Sequence, residues 1–172
     1  IGDAWVLRDG DGLRLSENGD VFYEDGEALS TARYPVGQGS VSLSEAVEAG
    51  RNLFYKALEA WCGTTANEAQ IYLKETLEQP EGGWEIRFGY TLGGADVSLE
   101  DGEAASFTVR EDRITSYEMH LRCYTATGEE TLVLPETQAI AALSALDLEA
   151  GADLSLCYLD DGNSAQASWM AG

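Results

Sequence analysis

The chain has 172 residues, enough for one sizeable domain or two small ones. With 44% hydrophobic residues, and 8 Tyr and 4 Trp, it can build a packed core, which argues against wholesale disorder. Its 31 Asp and Glu against 10 Lys and Arg give a formal charge of −21, a field that repels phosphate backbones and anionic lipid head groups and makes nucleic acid a poor partner.

No run of about 18 apolar residues is present to span a bilayer, and no charged n-region with an apolar h-region marks a signal peptide. Because the chain begins at Ile1, an upstream segment that could carry an anchor is expected. The three cysteines, Cys62, Cys123 and Cys157, form no close C-x-x-C pair, so neither a zinc knuckle nor a dithiol redox motif is indicated. One bridge plus one free thiol, or three buried thiols, both remain open.

In chain order, residues 4–30 read as a β-meander: AWVLR, LRL and VFY are separated by Asp9-Gly10-Asp11-Gly12 and Asn18-Gly19, dipeptides suited to tight turns, and Asp25-Gly26 follows. Asp9 and Asp11 resemble the start of a calcium loop, but Arg14 stands where Gly is needed and Asp20 where Glu is needed. A connector with Pro35, Gly37 and Gly39 follows. Ser42 with Glu45 then makes a capping box, and Val41 with Ala46 can staple it. Leu43, Ala46, Val47, Gly50, Leu53, Phe54, Ala57, Leu58 and Trp61 give the apolar face of a helix over 43–61 that stops at Gly63.

From residue 69 the period changes to two. Trp84, Ile86, Phe88, Tyr90 and Leu92 share one face of a strand, and Ala105, Phe107 and Val109 repeat the pattern. A strand over 113–125 is predicted to turn Tyr117, Met119, Leu121 and Cys123 one way and His120, Arg122 and Tyr124 the other. Pro135 and Glu136 open a second, shorter helix with Ile140, Leu143 and Leu146 on its stripe, and strands at 154–159 and 165–169 close the chain.

The chemistry-bearing residues are sparse. His120 is the sole histidine and lies three residues from Cys123, but on an extended strand their side chains diverge, and spacing places no Asn or Asp to orient the ring. Carboxylates are so abundant that a pair at glycosidase separation carries no weight. No P-loop, G-x-G-x-x-G, G-x-S-x-G or H-E-x-x-H occurs. No catalytic residue, metal site or cofactor is therefore assigned. Trp84, Phe88 and Tyr90 read as core in preference to a ligand groove. The opposite face, with Arg87, His120, Arg122 and Tyr124, gathers scarce positive charge and is the candidate partner surface; cross-strand pairing with carboxylates is the plainer reading.

The succession FGYTLGGADVSLEDGEAASFTVREDRITSYEMHLRCY, LPETQAIAAL and LSLCYLDDG, with a late Trp169, resembles the extracytoplasmic YycH/YycI-type regulatory proteins of Gram-positive two-component systems. The likeness rests on Phe88 and Tyr90, the Gly94 turn before Val97, Ala104-Ala105, Arg122-x-Tyr124, Leu134-Pro135 and Tyr158-x-Asp160, and covers about half the chain. The resemblance implies a single-pass anchor ahead of Ile1, export to the outer face of the membrane, and modulation of a membrane histidine kinase through protein contact, with no enzyme activity. It also implies helix-on-sheet units like those of peptidase-propeptide (PepSY-like) modules.

The expected architecture is α+β: an antiparallel sheet with helices packed on one face, a helix-then-strands unit occurring twice, and an N-terminal β-meander. Residues 1–33 would form the meander, 34–130 the helix with a four-stranded sheet, and 131–172 the shorter helix with two strands, in separate units or one body. The expected function is a non-enzymatic, surface-exposed regulatory or sensory domain; the alternative is a binding module for a cell-wall component or a small secreted ligand.

Overall fold

The Ser42 to Glu45 capping box starts the long helix where its first N–H groups lack partners: Ser42 Oγ accepts from the Glu45 N–H at 3.3 Å, and Glu45 Oε2 accepts from the Ser42 N–H at 2.8 Å. Gly63 ends it with φ 59°, in the region that favours glycine, its N–H donating to the Glu59 carbonyl. The computed structural model describes residues 3–6, 10–26, 31–145 and 153–171. The elements are β1 (Asp3–Val6), β2 (Gly12–Leu15), β3 (Asp20–Glu24), α1 (Leu43–Cys62), β4 (Gln70–Glu78), β5 (Trp84–Leu92), β6 (Ala95–Leu99), β7 (Ala105–Arg110), β8 (Arg113–His120), α2 (Glu136–Ser144), β9 (Leu154–Asp160) and β10 (Ala165–Ala171).

The strands join in a mostly antiparallel, open 10-stranded sheet. A strand has two edges, and β4 pairs along β5 from Trp84 to Thr91. On the remaining edge, β7 takes Trp84 to Phe88 and β6 takes Tyr90 to Leu92. The sheet therefore forks at the end of β5. One branch runs β7-β8-β3-β2-β1 and the other β6-β9-β10. Hydrogen bonding thus carries the sheet across the boundaries expected near residues 33 and 130.

α1 covers β5 and β7. Its buried residues Ala46, Gly50, Phe54 and Leu58 recur every fourth position and meet Ile86, Phe88, Tyr90 and Phe107, all nearly inaccessible. Phe54 stands 6.0 Å from Phe88 and 5.7 Å from Tyr90, ring centre to ring centre. Burying such a ring contributes about 2–3 kcal/mol. β3 adds Val21 and Tyr23 to the same core, so the meander is continuous with it.

Four features differ from the sequence reading. The strand expected over 113–125 ends at His120, because the chain leaves the β7 edge there: Leu121 bonds to Gly19, and Arg122 and Tyr124 bond to the segment after α1. β6, where the sequence reading placed no strand, pairs with β9 in parallel, an arrangement that a pattern of hairpins does not announce. α2 forms where Pro135 and Glu136 place it, but its described side chains are exposed apart from Ala139, with Ile140 48% accessible. Trp61, assigned to the apolar face of α1, is 40% exposed at its end. Leu146 of the expected stripe, Leu7 and Arg8 of the first strand, and Asp9 of the first turn lie outside the described residues.

Candidate functional site

The face of the sheet away from α1 is built by register. Glu75, Arg87, Ser106, Glu118, Phe22 and Arg14 stand side by side on β4, β5, β7, β8, β3 and β2, each the cross-strand partner of the next. Arg87 Nε donates to Glu85 at 2.7 Å and its Nη1 to Glu75 at 2.9 Å. The Glu85 bond, against a desolvation that works the other way, pushes the Arg87 guanidinium above its ordinary value. The Arg14 guanidinium lies 5.5 Å over the Phe22 ring. Arg87 is thus committed to cross-strand pairing.

His120 and Arg122 meet at Asp20. His120 Nδ1 lies 2.7 Å from Asp20 Oδ1 and Nε2 2.9 Å from Glu118 Oε1, and Arg122 Nη1 donates to Asp20 Oδ1 at 3.2 Å and to the Asn18 carbonyl at 2.8 Å. Burial of Asp20 alone would raise its carboxyl; the His120 hydrogen bond and the charges of His120 and Arg122 outweigh it and hold the group below the ordinary carboxylate value. The ring is 2% exposed with both nitrogens engaged, so it offers no free nitrogen to a substrate. The sequence reading found no acid to orient it, yet Asp20 does so from 100 residues away.

Tyr124 does not share that face. Once the chain leaves β8 its ring turns inward, edge-on to Tyr90 at 5.6 Å. The Tyr124 hydroxyl donates to Asp160 Oδ2, Asp160 Oδ1 accepts from the Gly162 N–H at 2.7 Å, and Arg122 Nε stands 3.9 Å from Asp160 Oδ2. That Nε is buried without a hydrogen-bond partner. Desolvation first, then the Asp160 bond, push the Tyr124 phenol well above its ordinary value, so it stays a donor. Arg122, Tyr124, Tyr158, Asp160, Asn163 and Gln166 line a surface cleft of about 970 Å³ between residues 125–131 and the β9–β10 turn. Arg122 is the residue that touches both the sheet face and this cleft.

Of the four expected residues, then, His120 and Arg122 are joined through Asp20, Arg122 and Tyr124 approach one another at Asp160, and Arg87 stands apart. The sequence reading does not make Asp20 and Glu118 partners of His120, nor Asp160 the partner of Tyr124; the Asp20 and Asp160 contacts join segments that the pattern along the chain does not bring together. The Cys123 thiol faces the Thr65 carbonyl, and the His120 ring faces Asp20 and Glu118, so the two do not pair. Among the described residues no group of His, Cys, Asp and Glu is placed to hold a metal ion.

Beside the cleft the chain exposes apolar side chains. Leu132 is 98% accessible and Leu134 52%. Trp169 of β10 donates its indole N–H to the Leu134 carbonyl at 2.7 Å, fixing this segment beside Met170, itself 38% exposed. Among the described residues no helix is long and apolar enough to cross a membrane. No protein family, curated protein or solved structure matches the chain.

Proposed function

We propose that this chain is a non-enzymatic extracytoplasmic regulatory or sensory domain, held at the cell surface by a segment preceding it, that acts through protein contact on a partner such as a membrane sensor histidine kinase. The observation that carries the reading is the exposed Leu132 and Leu134 pair fixed by Trp169 next to a polar cleft. Apolar anchors ringed by polar groups are how protein contacts are made. The proposal includes the twice-occurring helix-then-strands unit, α1 with β4–β8 and α2 with β9–β10, for which the element order is the support. The test is calorimetric titration with the extracytoplasmic domain of the sensor kinase. Saturable binding that Leu132→Glu abolishes is the expected result, and no heat from the unaltered chain overturns it.

The second reading, a binding module for a cell-wall fragment or small ligand, draws on the cleft and not on the aromatic strand, since Phe88 and Tyr90 lie under α1. A rise in Tm with soluble muropeptides, lost in Gln166→Ala, would favour it.

A further inference from the structure

The helix end and the strand exit are tied together around two thiols. Thr65 donates its N–H to the Cys62 carbonyl at 3.0 Å, and the Thr65 carbonyl accepts from the Cys123 thiol at 3.9 Å. Asn67 fixes the same stretch, donating to the Arg122 carbonyl at 3.1 Å and accepting the Tyr124 N–H at 3.0 Å, and the Glu68 N–H donates to the Tyr124 carbonyl at 2.9 Å. Residues 62–68 therefore run alongside 122–124, with Cys123 Sγ on the Thr65 carbonyl three residues past Cys62, and the two thiols are close enough for Cys123 to raise the Cys62 thiol. Both are half-buried and free, and Cys123 lines the cleft.

We propose that Cys62 and Cys123 are a disulfide-forming pair in which Cys123 is the entry thiol and Cys62 the resolving one, the oxidant being a small-molecule disulfide such as oxidised glutathione. The Cys123 thiolate attacks one sulfur of that disulfide, and its partner sulfur leaves as a thiolate. The Cys62 thiol then loses its proton to solvent and attacks Cys123 Sγ, expelling the second thiolate. Two protein thiols are oxidised and one external disulfide is reduced to two thiols.

The order follows from environment. Burial first, and then the neighbouring Cys123, push the Cys62 thiol up to about 12, so it is protonated and unreactive at neutral pH. Once Cys123, which lines the cleft, is capped, the nearness of Cys62 supplies the high effective concentration that an intermolecular attack lacks. Cys157 on β9 is 5% exposed, with its thiol raised by burial, and takes no part. The bond would close α1 onto the segment that carries Arg122 and Tyr124, so it would set how rigidly one wall of the cleft is held.

The test is incubation of the native reduced chain with oxidised glutathione, acid quench, and non-reducing peptide mapping by mass spectrometry. A Cys62–Cys123 cross-linked peptide with Cys157 still alkylatable after unfolding is expected, and Cys157→Ser should give the same bridge. Cys62→Ser should accumulate glutathione on Cys123, and Cys123→Ser should show no adduct on Cys62. A bridge through Cys157, three thiols left free, or a lasting adduct on unaltered Cys123 would overturn the pairing; an adduct on Cys62 in Cys123→Ser would overturn the order.

Discussion

His120 and Asp20 stand directly opposite each other on β8 and β3, with Nδ1 2.7 Å from Oδ1, although 100 residues separate them. That contact, with Arg122 bonded to the same carboxylate oxygen, clamps the N-terminal meander to the rest of the sheet. A half-buried carboxylate shared by two donors contributes only while it is ionised, which makes the clamp sensitive to acid.

Asp20→Asn should lower stability by about 2 kcal/mol near pH 7, the worth of a hydrogen bond to a charged group. The sign follows from the depressed carboxyl: its contribution is fully present above the ordinary carboxylate value and is lost as pH falls through the lower folded value. Urea unfolding from neutral to acid pH should therefore show the unaltered chain and the variant converging at the acid end. A constant gap at every pH would assign the effect to packing.

Asp11 tests a different kind of carboxylate. It is 0% exposed and accepts from Tyr23 Oη at 2.9 Å, the Gly26 N–H at 2.8 Å and Arg33 Nε at 2.7 Å. Burial works to raise its carboxyl, but the Gly26 bond and the Arg33 and Tyr23 bonds together leave it below the ordinary value. The calcium-loop likeness thus falls on a residue built into the meander. Asp11→Ala should cost about 3 kcal/mol, as breaking a buried pair does, read as a shift in the urea midpoint with unchanged slope. Calcium should leave the midpoint of the unaltered chain where it is.

What the sequence made legible was local. The Ser42 and Glu45 cap, the Gly63 stop and the alternation of Trp84 to Leu92 each depend on neighbours within a few residues, and all stand where the pattern puts them. The face bearing Arg87 and His120 was legible for the same reason, since period two fixes sides. The Asp20 partner of His120, the fork at β5 and the parallel β6–β9 pair were not, because each is set by which strands meet across long separations. Tyr124 was assigned to the wrong side because strand alternation was carried past His120, where the strand stops.

Gly50 sets helix propensity against packing. A Cβ there would lie 3.2 Å from Phe107 Cδ2 and 3.3 Å from Phe88 Cε2, and both rings are wholly buried and edge-on to each other. Alanine gains about 1 kcal/mol as a helix former, whereas crowding a full core costs about 1–3 kcal/mol. Gly50→Ala should therefore be destabilising by about 1 kcal/mol in urea, and Phe107→Leu should relieve part of that in a double-mutant cycle. Additive effects would show that the two positions do not press on each other.

Leu132 and Trp169 separate exposure for recognition from exposure by default. Leu132 is 98% accessible, so Leu132→Glu should change stability by less than about 0.5 kcal/mol, and loss of partner binding in this variant would not be a folding defect. Trp169→Phe keeps an aromatic ring but removes the N–H that holds the Leu134 carbonyl. The next bonds along the chain run from the Gln138 and Ala139 N–H groups to the Pro135 carbonyl, at the start of α2. Releasing Leu134 should speed hydrogen exchange at those two amides by about fivefold, the equivalent of one net hydrogen bond of about 1 kcal/mol, while amides in α1 and β5 keep their rates. Unchanged exchange at Gln138 and Ala139 would mean that the apolar segment carrying Leu132 is held by something other than Trp169.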